Sequence, residues 1–233
     1  MEDYRHESAP AGAFYRLRPR WTVRPGLSRA GSLWIAKSLK LGREVRFRRG
    51  IDHDHWLLIE TDPEVASFCE EPVWTDGQDD SPLADLCVRR GDGATEFLRV
   101  ERSERGDAVA RRALKGTFGA AVSFRSMTAA EILADPVLLD NASRVIGHAS
   151  TPPPARARDL AERVEELLAG SAPRLGKLLD LLGPELGDES ALGTICRLFL
   201  RGRLHLGLRG VPLSDRTEVN LRHGTHEAFP ARD

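Results

Sequence analysis

The stretch from Ala84 to Glu104, ADLCVRRGDGATEFLRVERSE, constrains the fold more than any other part of the chain. ADLCVRR alternates in part, with Leu86 and Val88 on one face and Asp85 and Cys87 on the other. TEFLRVE does the same, setting Leu98 and Val100 against Arg99 and Glu101. Between them, GDG at 91–93 supplies the left-handed residues that a tight hairpin turn needs. Alternation of period two on both sides of such a turn predicts two antiparallel strands. One acid opens the first strand, and a charged pair shares a face of the second.

The neighbouring segments build a sheet around this hairpin. From Ile51 to Glu60 the residues Ile51, His55, Trp56, Leu58 and Ile59 recur at helical spacing, and Pro63 ends the helix by disfavouring helical geometry at Asp62. VRF at 45–47 has strand composition, and PVWTDG at 72–77 is a short strand ending in a turn. DAVARRALKGTFGAA is helical, VSFRSM is a strand, and Thr128 with Glu131 three residues later has the form of a capping box. Helix, three strands, helix, strand predicts an α/β fold, a mixed sheet flanked by helices.

STPPPAR at 150–156 is a proline-stiffened linker and the expected domain boundary. After it come helical patterns over 156–169, 172–182 and 189–201, then RLHLGL and PLSDRTEVNLR as strands. Three helices followed by a β-hairpin is the order of an α+β winged helix. The expected organisation is a basic arm over 1–30, an α/β domain over 31–149, the linker 150–156, a winged-helix-like domain over 157–222 and a tail over 223–233.

A chain of 233 residues, 41% hydrophobic and 30% charged, can bury a sizeable core. No apolar run approaches the roughly 18 to 20 residues that span a bilayer, and MEDYRHESAP has no apolar signal core. The expectation is a cytoplasmic, nucleoid-associated protein with no membrane partner. The three cysteines, Cys69, Cys87 and Cys196, form no CxxC pair, which argues against a zinc knuckle or a disulfide framework and for buried thiols. A net charge of −1 conceals an asymmetry: residues 1–50 carry twelve Arg and Lys against four acids, a balance of +8. Phe14, Tyr15, Trp21, Trp34 and Phe47 interrupt them. Such a segment suits a phosphate backbone, making Arg18, Arg20, Arg43, Arg46, Arg48 and Arg49 the candidate DNA-binding residues. The alternative is that these arginines cover the protein's own acidic surface.

Metal-dependent phosphodiester cleavage needs a few hard oxygen ligands around Mg²⁺ or Mn²⁺, and a cation or base near the attacking water. Asp52 on the helix, Asp85 on the first hairpin strand and Glu101 on the second are the candidate metal ligands. With Arg99 they make up the candidate catalytic set. Acids scattered over helices and strands are most often solvated surface, so this constellation carries little specificity alone. In IDHDH, 51–55, positions i and i+2 of a helix point apart, so a histidine metal site is not expected and His55 is expected to pack.

From about Gly31 to His148 the chain resembles the TnsA-like endonuclease subunit of heteromeric transposases. GREVRFRRGIDHDHWLLIETDPEVASFCEEP runs in step with a family segment G-R-x-V-x-[YF]-E-S-x-L-E-R-D-x-L-x-L-L-[DE]-x-D-P-x-V followed by Gln-Pro. ADLCVRRGDG is similar to P-D-[YF]-x-x-R-x-x-D-G, and VIGHAS to the stretch after the last core strand. RLFLRGRLHLGLRGVPLSDRTEV resembles the winged-helix tail of some members. The resemblance implies a restriction-endonuclease-like fold of the PD-(D/E)xK type. It implies double-stranded DNA at transposon ends as ligand, and a DDE-type transposase and an AAA+ ATPase regulator as partners in DNA recombination.

Carried over by position, the helix glutamate falls on Asp52 and the metal-binding aspartate on Asp85, with Ala84 in place of the proline before it. The acid-x-basic pair falls on Arg99 and Glu101, its charges exchanged in order. The Glu-Ser before the helix has become Arg48 and Arg49, and the glutamine before Pro72 has become Glu71. An arginine at a metal-ligand position repels a divalent ion, and it stays protonated, so it is no general base. The expectation is therefore a transposition protein in which Mg-dependent cleavage is weak or lost. The alternative is an active metal-dependent endonuclease of defence or repair type using a rewired Asp52, Asp85 and Glu101 site.

Overall fold

The computed structural model describes residues 17–20, 33–75, 81–101, 104–119, 122–152, 156–183 and 188–222. They form two units. The first gathers Met1–Ala36, Glu44–His53 and Val65–Ile132, and the second Lys37–Arg43, Asp54–Glu64 and Leu133–Asp233. Most of the basic arm and the tail lie outside the described residues.

The first unit is a mixed α/β layer structure. Strand β1 (Leu17–Pro19) is the described part of the arm. Strands β2 (Trp34–Ser38) and β3 (Arg43–Phe47) pair with each other, and helix α1 (Gly50–Thr61) follows, residues 50–53 in this unit and 54–61 in the second. Then come β4 (Val65–Glu70), β5 (Pro72–Trp74), β6 (Leu86–Arg90) and β7 (Thr95–Val100). Helix α2 (Glu104–Phe118), strand β8 (Val122–Met127) and the short helix α3 (Ala129–Ile132) complete it. The main sheet has the order β4-β6-β7-β8, antiparallel except for the parallel β7/β8 pair. A parallel neighbour needs a crossover, and α2 supplies it.

The hairpin register sets Leu86 opposite Leu98 and Cys87 opposite Phe97. Leu98 and Val100 are both buried, and so are Cys87 and Phe97 on the opposite face. Cys69, Cys87, Phe97, Leu114 and Phe118 form one core cluster of the unit, with Trp74 stacked on Phe118 at 5.1 Å between ring centroids. The capping box is made: Thr128 N–H donates to Glu131 Oε2 at 2.7 Å and Glu131 N–H to Thr128 Oγ1 at 3.1 Å.

The strand expected from Pro72 forms as β5 and pairs antiparallel with β1, while the first strand of the main sheet is β4, for which the sequence carries no strand signal. A register shift between Val65 and Ser67 breaks the alternation of β4, which is why no period-two signal marks it.

The second unit is built on helices α4 (Pro136–Ser150), α5 (Ala157–Gly170), α6 (Leu175–Leu182) and α7 (Asp188–Leu200), with strands β9 (Leu204–Leu206) and β10 (Val219–Leu221). Asp135 caps α4 by accepting from Leu138 N–H at 2.9 Å, with Pro136 at the first helical position. Its core joins Val145 and Ala149 of α4 to Val164, Leu178, Ile195 and Leu204 of the elements beyond the proline-rich stretch. From Ala191 onward helix α7 is buried almost all round. Gly193 lets α4 approach it: a Cβ there would meet His148 O at 2.9 Å and Thr151 Oγ1 at 2.8 Å. Strands β9 and β10 are antiparallel, and an isolated bridge joins Arg174, just before α6, to Glu218.

Candidate functional site

Asp85 is held by three backbone contacts. Its N–H donates to Leu98 O at 3.1 Å, its carbonyl accepts from Glu71 N–H at 2.8 Å, and its Oδ2 accepts from Val100 N–H at 2.8 Å. The paired strands β6 and β7 thus fix the carboxylate before any other side chain is considered. Asp52 lies in the first turn of α1, where its own N–H donates to Arg49 O at 3.1 Å.

Arg49 joins the two. Its Nε donates to Asp52 Oδ2 at 2.8 Å, its Nη2 to Asp52 Oδ1, and the same Nη2 stands 3.6 Å from Asp85 Oδ1. The Asp52 and Asp85 side chains are only 13% and 12% exposed and Arg49 34%, so water screens this pairing only in part. The bond to Asp52 raises the Arg49 pKa against the opposing effect of burial, and the charges of Asp52, Asp85 and Glu71 add to the rise.

Glu71 is the third carboxylate of the cluster. Arg48 Nε lies 3.4 Å from its Oε1, and Arg20 Nη1 3.9 Å from its Oε2. Burial pushes its pKa up; Arg48 and Arg20 oppose that, while Asp52 and Asp85 push the same way. Its φ of 38° is left-handed, a conformation a non-glycine residue adopts at a cost of about 1–3 kcal/mol. In the sequence Glu71 stands out only as a glutamate in place of the family's glutamine. The signal that could have found it was its position one residue before Pro72, next to a predicted strand.

The other two candidates have different surroundings. Arg99 Nε is 3.4 Å from Asp107 Oδ1 and its Nη1 donates to Gly106 O at 3.4 Å, which ties it to α2. Asp107 is buried and also accepts from Ser126 Oγ at 2.5 Å. Glu101 is exposed past the end of β7, its N–H donating to Met127 O at 2.8 Å. Among the described residues, no group of three or more His, Cys, Asp or Glu side chains is placed to hold a metal ion. His55 is buried, as expected. All three cysteines are free and buried, and burial raises the Cys87 thiol and pushes Cys196 up to about 12.

Of the six arginines singled out for DNA, four stand against carboxylates of their own unit. Arg20 and Arg48 face Glu71, Arg49 faces Asp52 and Asp85, and Arg46 Nη2 lies 3.7 Å from Glu44 Oε2. Arg18 is half-buried opposite Val73, and Arg43 is half-buried at the start of β3. Arg46 and Arg48 keep exposed side chains, so they can exchange an internal partner for a phosphate at small cost. No protein-family model and no curated protein matches the chain. No helix among the described residues is long and apolar enough to cross a membrane.

A divalent ion does not fit this donor set. The space between Asp52 and Asp85 is spanned by a guanidinium that remains charged at any ordinary pH. An ion placed there would meet a fixed positive charge before it met two carboxylates. The arrangement can bind anions at Arg46 and Arg48, but it offers no base in contact with a metal-held water.

Proposed function

We propose that this chain is a DNA transposition protein, a TnsA-like subunit acting at transposon ends with a DDE transposase and an AAA+ ATPase, in which metal-dependent strand cleavage is lost. The observation that carries this reading is the convergence of Asp52, from a helix, and Asp85, the residue before the first strand of a hairpin, on the Arg49 side chain. The order α1, β4, β6, β7, α2, β8, with three antiparallel strands and a fourth parallel to its neighbour, supports a PD-(D/E)xK nuclease-type core. The order α5, Arg174 bridge, α6, α7, β9, β10 supports a winged helix. Because α7 is buried almost all round, that module serves protein contacts rather than groove reading.

The test supplies purified protein, alone and with a DDE transposase partner, with end DNA and Mg²⁺ or Mn²⁺, beside Asp85→Ala. Binding of end DNA without cutting by this subunit is expected. Metal-dependent cutting abolished by Asp85→Ala would overturn the loss of cleavage, and absence of DNA binding would overturn the reading as a whole.

A further inference from the structure

The geometry points to Arg49 as a resident counter-ion that takes the place of a divalent cation between Asp52 and Asp85. This rests on the nuclease-type reading of the core for the expectation of a metal, and on this chain's own residues for its replacement. Side-on pairing through Nε and Nη2 uses one edge of the guanidinium on Asp52 and leaves Nη2 facing Asp85. Arg20 and Arg48 stand against Glu71 in the same cluster. Among the described residues of this cluster three arginines face three carboxylates, so their charges leave no negative excess to draw in a doubly charged ion. Arg49 also precedes the helix by one residue, and its carbonyl accepts from Asp52 N–H at 3.1 Å and from His53 N–H at 3.3 Å. The first turn of α1 and the counter-ion are thus one local unit, so the charge arrives with the helix as the chain folds.

Mn²⁺ titration of the full-length protein, without DNA and at matched ionic strength, tests this by calorimetry and thermal unfolding. The wild-type Tm is expected to be the same in Mn²⁺ and in EDTA. Arg49→Ala is expected to unfold at a lower temperature in EDTA. At about ten times its Kd, Mn²⁺ should then raise the Tm by about 3 °C, and adding Asp85→Asn should remove that response. Arg49→Gln, which keeps much of the length of the side chain, serves if the alanine variant does not fold, and a variant that folds only with Mn²⁺ supports the inference. A wild-type Tm raised by Mn²⁺ and made insensitive by Asp85→Asn would show that cations displace Arg49 and overturns it. So would Arg49 variants indifferent to Mn²⁺, or unable to fold in its presence. Loss of DNA binding by the wild type would sink the proposed function and leave these outcomes unchanged.

Discussion

A single buried carboxylate decides the turn between β2 and β3. Glu60 is fully buried and accepts from Ser38 Oγ at 2.8 Å, Leu39 N–H at 2.8 Å and Lys40 N–H at 3.0 Å. Lys40 lies beside it, its Nζ donating to Asp62 O, and burial lowers its pKa to about 8 although Glu60 and Asp62 oppose the shift. The folded state therefore releases this proton before the unfolded chain does, whose lysine keeps the ordinary value of 10.5. Below about pH 8 both states are protonated and the cost of the buried charge is fully present. As pH rises from about 8 towards 10.5 that cost is relieved and stability grows. The unfolding free energy of the wild type minus that of Lys40→Met should rise over this window in denaturant titrations, and a flat difference would contradict it. Neither this nor the Arg49 bridge has a mark in the sequence. Both depend on residues distant along the chain, Glu60 for one and Asp85 for the other.

Among the elements, periodicity was a good guide wherever one face packs and the other meets water. Helices α5 and α6 follow their patterns closely, whereas the β6–β7 hairpin is covered on both faces, Cys87 and Phe97 on one and Leu86, Val88, Leu98 and Val100 on the other. Strand β4 does not, because its bulge carries successive side chains out of alternation. Helix α7 carries few polar residues because it is enclosed rather than amphipathic. The loop between β9 and β10 is held by buried Asn141 of α4, whose Nδ2 donates to Leu208 O at 2.7 Å and Val211 O at 2.8 Å while Oδ1 accepts from Leu213 N–H at 2.6 Å. Asn141→Leu changes the side chain's size little but strands three backbone groups. It should cost about 3 kcal/mol or more in chemical denaturation and speed amide exchange at Leu213. A loss below about 1 kcal/mol would mean those groups find other partners.

At the scale of the whole molecule, charge distribution carries the functional argument. The net charge is −1, yet the first fifty residues carry +8, and among the described arginines there Arg46 and Arg48 have exposed side chains. Reversing both to glutamate should weaken DNA binding for every sequence tried. It should also flatten the dependence of affinity on salt by about 1 for each phosphate no longer neutralised. Equal affinity and slope in filter or fluorescence titrations would remove the DNA role of these residues. The hairpin, its register, most helices and the positions of Asp52 and Asp85 were legible from the residue order alone. Those follow from local periodicity and turn chemistry, which act over a few residues. It took the folded arrangement to bring Arg49 between the two carboxylates, to join Glu71 to them in a left-handed conformation, and to tie Arg99 to α2. Arginine has a long, flexible side chain, and which acid it meets is set by how strands and helices are brought together, not by its place in the chain.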